Sequence, residues 1–549
     1  MSHRKRVCLI ALSIASIGSP APCGAAGSLE GQPATAVAAA DAGVLLVVSR
    51  FEVGGTNPLD ADETGAILKP YLGEHRSLAT LEAAALALEN TMRERGLAFH
   101  RVIVPAQRPE RGVVRLEVLH FSLGAVNVSG NQHFSAANVL RSLPALKPGV
   151  SPDVGELARQ LSLANEHPAK RLTVTVREST SADALDAEVA VRDMKPSQFF
   201  ASIVGNSRDE YNLVNQNTGY TRLTLGYQNS NLFDRDHAGT FAYTTSPENL
   251  DAVKQYAGYY SLPIYELSSQ VAAYYVHSDI DTGSIPVGGL PFNVSGRGTF
   301  YGARVTYTLP RVADITQLLS AAYDVRSFEN TVGTLGVVLP TTPVTTRPLS
   351  LRYQARGERQ WGGASGYVEY AVNVSGSDPG SFAASRAGAT DDWNAWRLGF
   401  DANYAWGTWV LSTRIRGQLS GDYLIAGEQF GLGGLASVRG LREREYAGER
   451  GYSATFEGIG PAFAGSLRPV LFVDHGYAYQ RAAPVPVAGA ITGGQTASSA
   501  GIGVRWNWQR RLDVATDLAY VLDGLPGPVG TPGTPSGHVK LHFSVYYRF

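Results

Sequence analysis

Apolar and polar positions alternate along much of the chain, and the alternation is clearest in the last nine residues. Leu541, Phe543, Val545, Tyr547 and Phe549 occupy every second position, with histidine, serine, tyrosine and arginine between them. Because successive side chains of a β-strand point to opposite faces, this segment predicts a strand with one apolar face and a terminal aromatic residue. A strand of a transmembrane β-barrel has this pattern, and so does an edge strand of a soluble β-sandwich.

Helical and strand patterns mix between residues 44 and 193, and they run twice in the same order, which indicates an internal repeat of about 75 residues. The first copy predicts, in order, a strand, a short helix, a long helix and two strands: Val44–Val53, Asp62–Tyr71, Ser77–Arg95, Phe99–Val104 and Val113–Leu119. The long helix places its apolar residues on one face at steps of three and four: Leu78, Leu81, Ala85, Leu88 and Met92. We interpret this stripe as core.

The second copy follows the same plan, with a strand, two helices and two strands: Ala125–Ser129, a short helix near Ser135–Leu143, a helix from Ser151-Pro152, Leu172–Val176 and Ala187–Val191. Ser151 is a good N-cap, and Pro152 suits the first helical turn. A unit of this size buries a modest core. The sequence therefore predicts two small β-α-α-β-β domains, 44–120 and 121–195.

Beyond Pro196 there is no convincing helical period, and short alternating segments recur to the end of the chain. Clear examples start at Leu223, Val305, Leu349, Trp396 and Leu512. Counting them gives about sixteen strands. Short turns such as 406–408 and 509–511 alternate with long polar or Gly/Pro-rich loops such as 331–348, 376–391 and 523–537, as in bacterial outer-membrane barrels. Residues 196–549 are therefore predicted to form a transmembrane β-barrel.

Composition is consistent with a barrel, because 60 glycines, 26 tyrosines and 19 phenylalanines accompany only 17% charged residues. A large soluble all-β protein is the alternative, and the alternating loop lengths favour the barrel. The net charge of -1 argues against nucleic acid as a partner.

The first 26 residues have the features of a secretory signal peptide: basic residues at positions 3–6, an apolar run to Ile17 and small residues before a cleavage site after Ala25 or Ala26. Cleavage there removes Cys8 and Cys23. Cys23 is an alternative lipidation site, but the preceding Pro22 fits that poorly. Residues 27–43 are predicted to be a flexible linker.

Motifs for catalysis or cofactor binding lack their context. Gly431-x-Gly433-x-x-Ala436 has no strand before it and no helix after it, so it does not predict a dinucleotide site. Asp234, Asp236 and His237 stand where a short periplasmic turn is expected, and we interpret them as solvated charges rather than a metal site. No enzyme activity, cofactor or metal is predicted.

Three stretches of the barrel region go beyond architecture. The earliest contains Gln228-Asn229-Ser230-Asn231-Leu232-Phe233, followed at the end of a later strand by Tyr259-Tyr260-Ser261-Leu262-Pro263. A loop of about thirty residues contains Glu428-Gln429-Phe430-Gly431-Leu432-Gly433-Gly434 and then Val438-Arg439-Gly440-Leu441, and a later strand contains Phe472-Val473-Asp474-His475-Gly476. With the paired domains and the barrel, these resemble the outer-membrane transporters of two-partner secretion, the haemolysin and haemagglutinin secretion-activation family with polypeptide-transport-associated (POTRA) domains. Leu441 departs from the family, which more often has an aromatic there.

The resemblance implies that the long loop folds into the barrel lumen and that Arg439 at its tip meets Asp474 on the wall, beside Phe472 and Gly476. We expect such a pair in a wet lumen to fix position, with a cost of breakage of about 1–3 kcal/mol. An exposed loop arginine and an unrelated strand aspartate are the alternative. Phe549 is expected to be the C-terminal barrel signal.

The resemblance also implies a function. It predicts a pore in the outer membrane of a Gram-negative cell, with the POTRA-like domains in the periplasm. This pore takes an unfolded exoprotein client, large and β-helical, to the cell surface, and its other partners are outer-membrane lipid and the barrel-assembly machinery. An outer-membrane protein assembly or insertion factor is the alternative, and a passive porin a third.

Overall fold

A computed structural model describes residues 46–549 except 76–77, 98, 109–110, 182–183, 209–218, 280–281, 288–289, 296, 330, 335–336, 341–342, 485–490 and 528–531. The side chains of Leu46, Glu178, 282–287, 290–295, 331–334 and 337–340 are also left aside. The described residues form two compact units, 46–194 and Lys195–Phe549. The predicted signal peptide and linker lie outside the described residues.

The first module of the N-terminal unit contains five strands and two helices: β1 (Leu46–Val48), β2 (Arg50–Gly55), α1 (Ala61–Leu68), β3 (Gly73–His75), α2 (Ala79–Glu94), β4 (His100–Ile103) and β5 (Val113–His120). Its three-stranded sheet has the order β2-β5-β4, with β2 parallel and β4 antiparallel to β5. β1 and β3 form a separate two-stranded sheet.

Helix α2 packs the predicted apolar face into the core of this module, where Leu88 and Met92 are fully buried. Leu78 was wrongly placed on that face, because it is 72% exposed. It is the N-cap of α2, and it precedes the first residue of the helix. Its backbone is already helical, with φ -61° and ψ -23°, so the error concerns where the buried stripe begins and not the helical period.

The second module repeats this plan: β6 (Ser122–Ser129), α3 (Ala136–Arg141), α4 (Val154–Ala164), β7 (Lys170–Glu178) and β8 (Ala184–Asp193). Its sheet has the order β6-β8-β7, again with one parallel and one antiparallel pair. The expected start of α4 at Ser151-Pro152 was two residues early. Asp153 is the N-cap, and its carboxylate accepts a hydrogen bond from the Glu156 amide at 2.8 Å.

The remaining strands and one further helix belong to the C-terminal unit: β9 (Ser197–Asn206), β10 (Thr221–Leu232), β11 (His237–Thr245), β12 (Gln255–Ile264), β13 (Ser269–Ser278), β14 (Thr282–Val287), β15 (Leu290–Ser295), β16 (Gly298–Thr308), β17 (Ile315–Phe328), β18 (Thr331–Thr334), β19 (Val337–Pro340), β20 (Val344–Arg359), β21 (Gly362–Gly376), α5 (Pro379–Ser385), β22 (Asn394–Trp406), β23 (Trp409–Leu419), β24 (Phe430–Leu432), β25 (Tyr446–Gly448), β26 (Arg450–Ile459), β27 (Leu467–Gln480), β28 (Gly493–Trp508), β29 (Leu512–Asp523) and β30 (Val539–Arg548).

Sixteen of these strands, all within the described residues, form one closed antiparallel barrel, which confirms the predicted fold class. The first and last barrel strands, β9 and β30, close it by pairing Phe200 with Arg548 through Asn206 with His542. β14–β15, β18–β19 and β24–β25 are separate two-stranded hairpins. Closure satisfies the backbone groups of both terminal strands, as a sheet at membrane depth requires.

Alternation along the barrel strands separates an apolar outer face from a polar inner face. On β29, Leu518 and Tyr520 are 43% and 50% exposed, whereas Asp517 and Ala519, at the alternate positions, are buried. On β30, Leu541 is exposed and His542 is buried. Side chains buried on the inner face of a closed barrel lie in the lumen. Charged residues of these strands therefore lie around the lumen.

The connection from β21 to β22 contains α5, which the sequence did not predict because seven residues give too short a helical period to recognise. Its Phe382 is fully buried in a cluster that includes Trp393, Leu424 and Ile425. This connection therefore packs against the start of the loop that follows β23. Among the described residues, no helix is long and apolar enough to cross a membrane.

Candidate functional site

Residues 420–449, which we call the inward loop, connect β23 to β26 and lie against the inner face of the barrel. The short strands β24 and β25 pair within the loop and bring its two halves together. Leu432, Val438 and Leu441 are buried with wall residues Ala497 of β28 and Val521 of β29. Leu441, where the family more often has an aromatic, is thus a core residue of the loop tip, Val438–Leu441.

The structure brings the two motifs of the predicted site together through Arg439 and Asp474. The guanidinium donates from Nε to Asp474 Oδ2 and from Nη2 to Oδ1, both at 2.8 Å. The backbone amide of Arg439 also donates to Oδ2 at 3.1 Å. Two parallel hydrogen bonds fix the plane of a guanidinium as well as its position. The loop tip is therefore docked on β27 in one orientation.

Two further carboxylates and one aromatic ring complete the surroundings of Arg439. Its Nη1 donates to Glu457 of β26 at 2.7 Å and to Asp517 of β29 at 3.2 Å. Its guanidinium carbon lies 3.5 Å from the centre of the Phe472 ring, a cation–π contact on the face that the carboxylates leave open. These four contacts come from three strands of the wall, β26, β27 and β29, and together they enclose the cation.

Two glycines allow this docking. Gly440 has φ +93°, a left-handed conformation that favours glycine, and its amide donates to His542 Nε2 at 3.0 Å. At Gly476, a Cβ atom would lie 2.3 Å from Leu432 Cδ1. A side chain at position 476 would therefore displace the inward loop from the wall.

The Arg439–Asp474 pair is buried, which differs from the expectation of a pair in a wet lumen. Arg439 is 3% exposed and Asp474 is fully buried. Removal of one partner from a buried ion pair leaves an uncompensated charge and typically costs about 3–5 kcal/mol, more than a solvated pair. Because loop and wall side chains enclose the pair, we expect a truncation such as Arg439→Ala to cost more than the about 1–3 kcal/mol of a pair in a wet lumen.

The sequence reasoning missed three charged residues of this tip cluster. Glu457 and Asp517 bind Arg439 directly, and Arg505 of β28 bridges them, with Nη1 at 2.6 Å from Asp517 Oδ1 and Nη2 at 3.6 Å from Glu457 Oε1. All three alternate with exposed apolar residues on their strands. That alternation assigns them to the lumen, but it does not say which of them face one another.

A second charge cluster receives the start of the inward loop. Glu428, whose carboxylate is fully buried, accepts two hydrogen bonds from Arg326 Nη1 of β17 at 2.8 and 3.1 Å. It also accepts one from Arg397 Nη2 of β22 at 2.9 Å and one from the Thr346 hydroxyl of β20 at 3.0 Å. The sequence motif included Glu428, but no role followed from it.

The end of the loop is buried under other connections of the barrel. Glu449 pairs with Arg386, which follows α5. Glu445 accepts hydrogen bonds from the amide and the hydroxyl of Thr534, at 2.6 and 2.7 Å, in the connection between β29 and β30. The inward loop thus contacts both the barrel wall and the segments that connect other barrel strands.

The residues set aside as candidate metal ligands have another role. Asp236 is buried and accepts a hydrogen bond from the Tyr265 hydroxyl at 2.6 Å, so the interpretation as a solvated turn charge was wrong for this residue. In the described part of the chain, no group of three or more histidine, cysteine, aspartate or glutamate side chains is placed to bind a metal ion. Phe549 is 70% exposed, and its ring meets Tyr547 edge to face.

Comparisons with known proteins agree with this architecture. The family model described as haemolysin secretion/activation protein ShlB/FhaC/HecB matches residues 203–504, and the model described as POTRA domain, ShlB-type, matches residues 46–120. No match was found among the curated proteins. The structure of CdiB from Escherichia coli is similar, with a TM-score of 0.72 and 17% identity over 94% of this chain and 93% of that chain. CdiB from Acinetobacter baumannii has a TM-score of 0.66 and 14% identity over 92% and 90%.

Proposed function

Because this chain belongs to the haemolysin secretion/activation family ShlB/FhaC/HecB and is an outer-membrane transporter of two-partner secretion, we propose that its periplasmic POTRA modules capture an unfolded, large β-helical client. The client then passes through the barrel to the cell surface. The proposal assigns no catalytic chemistry to the chain. It includes a signal peptide at 1–26, a flexible linker at 27–43, modules at 44–120 and 121–195, and a barrel at 196–549 that contacts outer-membrane lipid.

The paired modules with edge strands are the observation that carries the client-capture proposal. In the described part of each sheet, β2 and β4 flank the central β5, and β6 and β7 flank β8. An edge strand presents unpaired backbone groups, to which an extended client can add as another strand. Main-chain pairing is tolerant of sequence, so one edge can bind successive segments of an unfolded chain.

The inward loop is proposed to control passage through the lumen. Docked through Arg439 and Asp474, it occupies space that a client needs, and its release opens the pore. Phe472 and Gly476 shape the wall that receives it. An order-to-disorder or rigid-body movement of such a segment is an established form of switch. The drive for transport is proposed to come from folding of the client outside the cell.

Secretion by cells that carry the gene of a candidate client tests this function. Three strains express the intact chain, a deletion of 44–193 and the variant Arg439→Ala, and heat-modifiable barrel in the outer membrane is measured in each. The proposal expects the client to accumulate in the periplasm of the deletion strain despite normal barrel levels. Equal client release from all strains, including one that lacks the transporter, would refute it.

An outer-membrane assembly factor remains the second candidate, because such factors also combine POTRA domains with a barrel. The same strains separate the two. An assembly factor predicts that the deletion lowers the amounts of unrelated outer-membrane barrels, whereas a secretion transporter leaves them unchanged. The proposal also assigns Phe549 to recognition by the barrel-assembly machinery, and deletion of Phe549 should lower the amount of barrel without changing its transcript.

A further inference from the structure

We propose that Glu428 is a second anchor of the inward loop, so that opening of the pore requires release of Glu428 from Arg326 and Arg397 as well as release of Arg439 from Asp474. This inference rests on the proposed role of the loop as the element that closes the lumen. Glu428 is a positioning residue in this scheme.

The wall that receives Glu428 carries an excess of positive charge, which we call the cationic wall cluster. Its described ion pairs join Arg326, Arg352 and Arg397 to two carboxylates, Asp324 and Glu369. In strand register, Glu369 lies between Arg352 and Arg397 on three neighbouring strands. The Glu428 carboxylate supplies the remaining negative charge. Buried charges are stable only when they are paired, so this wall favours the docked loop.

The wall that receives Arg439 carries the opposite excess. Among the described ion pairs, Glu457, Asp474 and Asp517 bind Arg439, and Arg505 pairs with Asp517 and Glu457. Wall strands β26, β27 and β29 thus bind the cationic tip of the loop, while β17, β20 and β22 bind its anionic start. The tip and the start of the loop are therefore held by separate sets of contacts.

The geometry makes Glu428 separable from the integrity of the barrel. If Glu428 is replaced by glutamine, Arg326 retains Asp324 at 2.6 Å and Arg397 retains Glu369 at 3.4 Å. The wall therefore keeps its own ion pairs. Glutamine has nearly the same shape as glutamate but cannot neutralise the wall, so the substitution weakens the attachment of the loop specifically.

Single-channel recording of the purified full chain in planar bilayers tests the inference without any client. We expect Glu428→Gln to raise the fraction of time spent in the open state by about tenfold, which corresponds to about 1.4 kcal/mol. Glu428→Asp keeps the charge, so its open fraction should be closer to that of the parent chain. The matched control is Asp401→Asn, which weakens the wall pairs of Asp401 with Arg416, at 2.9 and 3.0 Å, and with Arg414, at 3.6 Å, and removes no described contact of the loop itself.

The double variant Glu428→Gln with Arg439→Lys provides the decisive comparison. If both anchors must release before the pore opens, the increase in open probability in the double variant should be the product of the increases in the two single variants. If Glu428→Gln fails to assemble, Thr346→Val removes one donor to Glu428 while every charge remains, and it should raise opening severalfold. Open probability equal to that of the parent in assembled Glu428→Gln, or in Thr346→Val, would overturn the inference.

This result is independent of the test of secretion. A chain that gates normally through Glu428 but releases no client would refute the proposed transport function and leave the second anchor standing. If the parent chain secretes its client but Glu428→Gln gates like the parent, the second anchor is refuted and the transport function stands.

Discussion

Replacement of Arg439 by lysine should release the loop tip without removing its charge. The guanidinium makes two bonds to Asp474, one to Glu457 and one to Asp517, through three nitrogens. A lysine ammonium is a single point donor and cannot reproduce this planar arrangement. It also cannot stack on Phe472 as the guanidinium does.

The size of the effect follows from the hydrogen bonds that lysine cannot make. At least two charge-assisted hydrogen bonds disappear, each of which contributes about 1.5–3 kcal/mol in isolation, and the lysine regains part of that through the nearest carboxylate. A net loss of about 2–3 kcal/mol raises the population of the undocked loop by about 30- to 150-fold. The change is large enough to measure and small enough for the barrel to assemble.

Thiol labelling measures this population. Ser437, two residues before Arg439, is 7% exposed in the docked loop. The two native cysteines, Cys8 and Cys23, precede the predicted cleavage site, so Ser437→Cys supplies the sole thiol of the predicted mature chain. The labelling rate by a bulky maleimide then reports undocking. Arg416→Lys is the matched control, because Arg416 forms an ion pair with Asp401 on the wall, in which Nη2 donates to both carboxylate oxygens.

A labelling rate for Arg439→Lys within threefold of the parent would show that the contacts of the guanidinium do not hold the loop tip in place. It would mean that the buried apolar residues of the loop tip, and not the ion pair, determine docking. An equal rise in the Arg416→Lys control would instead assign the effect to general loosening of the wall.

Three further variants test other parts of the structure. Gly476→Val places a side chain against Leu432, so the Ser437→Cys label should react as rapidly as in an undocked loop. Lys170→Met removes a buried ammonium that donates to Asn138 and Ser142 at 2.8 Å. It should lower the unfolding free energy of the second module by about 1–3 kcal/mol, as measured in a urea titration monitored by hydrogen exchange. Burial, with a smaller effect of His120, lowers the pKa of His100. The unfolded module therefore binds a proton that the folded one does not, and stability falls as the pH drops below about 6.5. His100→Gln should reduce the difference in urea midpoint between pH 7.5 and pH 5, and an unchanged difference would contradict this assignment.

The architecture was predictable because its patterns are local. Alternation at Leu541–Phe549 and the helical stripe of the first POTRA module depend only on residues close in sequence, and the alternation of short turns with long loops is likewise a property of the chain order. Two errors in the modules, at Leu78 and Ser151, lie at helix starts, and the exact first residue of a helix is hard to determine from sequence. A third is the single strand predicted over 44–53, which in the described residues is divided into β1 and β2 of different sheets.

The site was predictable only where a motif specified it. Arg439 and Asp474 were paired through the family resemblance, since nothing local connects residues 35 positions apart. The partners of Glu428 come from strands 31 to 102 residues away, and their convergence depends on the register of β17, β20 and β22. Charge alternation assigns such residues to the lumen, whereas register decides which of them meet.

The distribution of charge around the lumen has a consequence for the open pore. When the inward loop leaves, the excess positive charge on β17–β22 and the excess negative charge on β26–β29 are both uncovered in the same channel. Small anions and small cations are then each attracted by one part of the lumen wall. The open pore should therefore show weak ionic selectivity, with a reversal potential near zero in a salt gradient. A charged segment of a translocating polypeptide, whether acidic or basic, is likewise attracted by one part of the lumen wall and repelled by the other. Neither kind of segment is therefore retained in the pore.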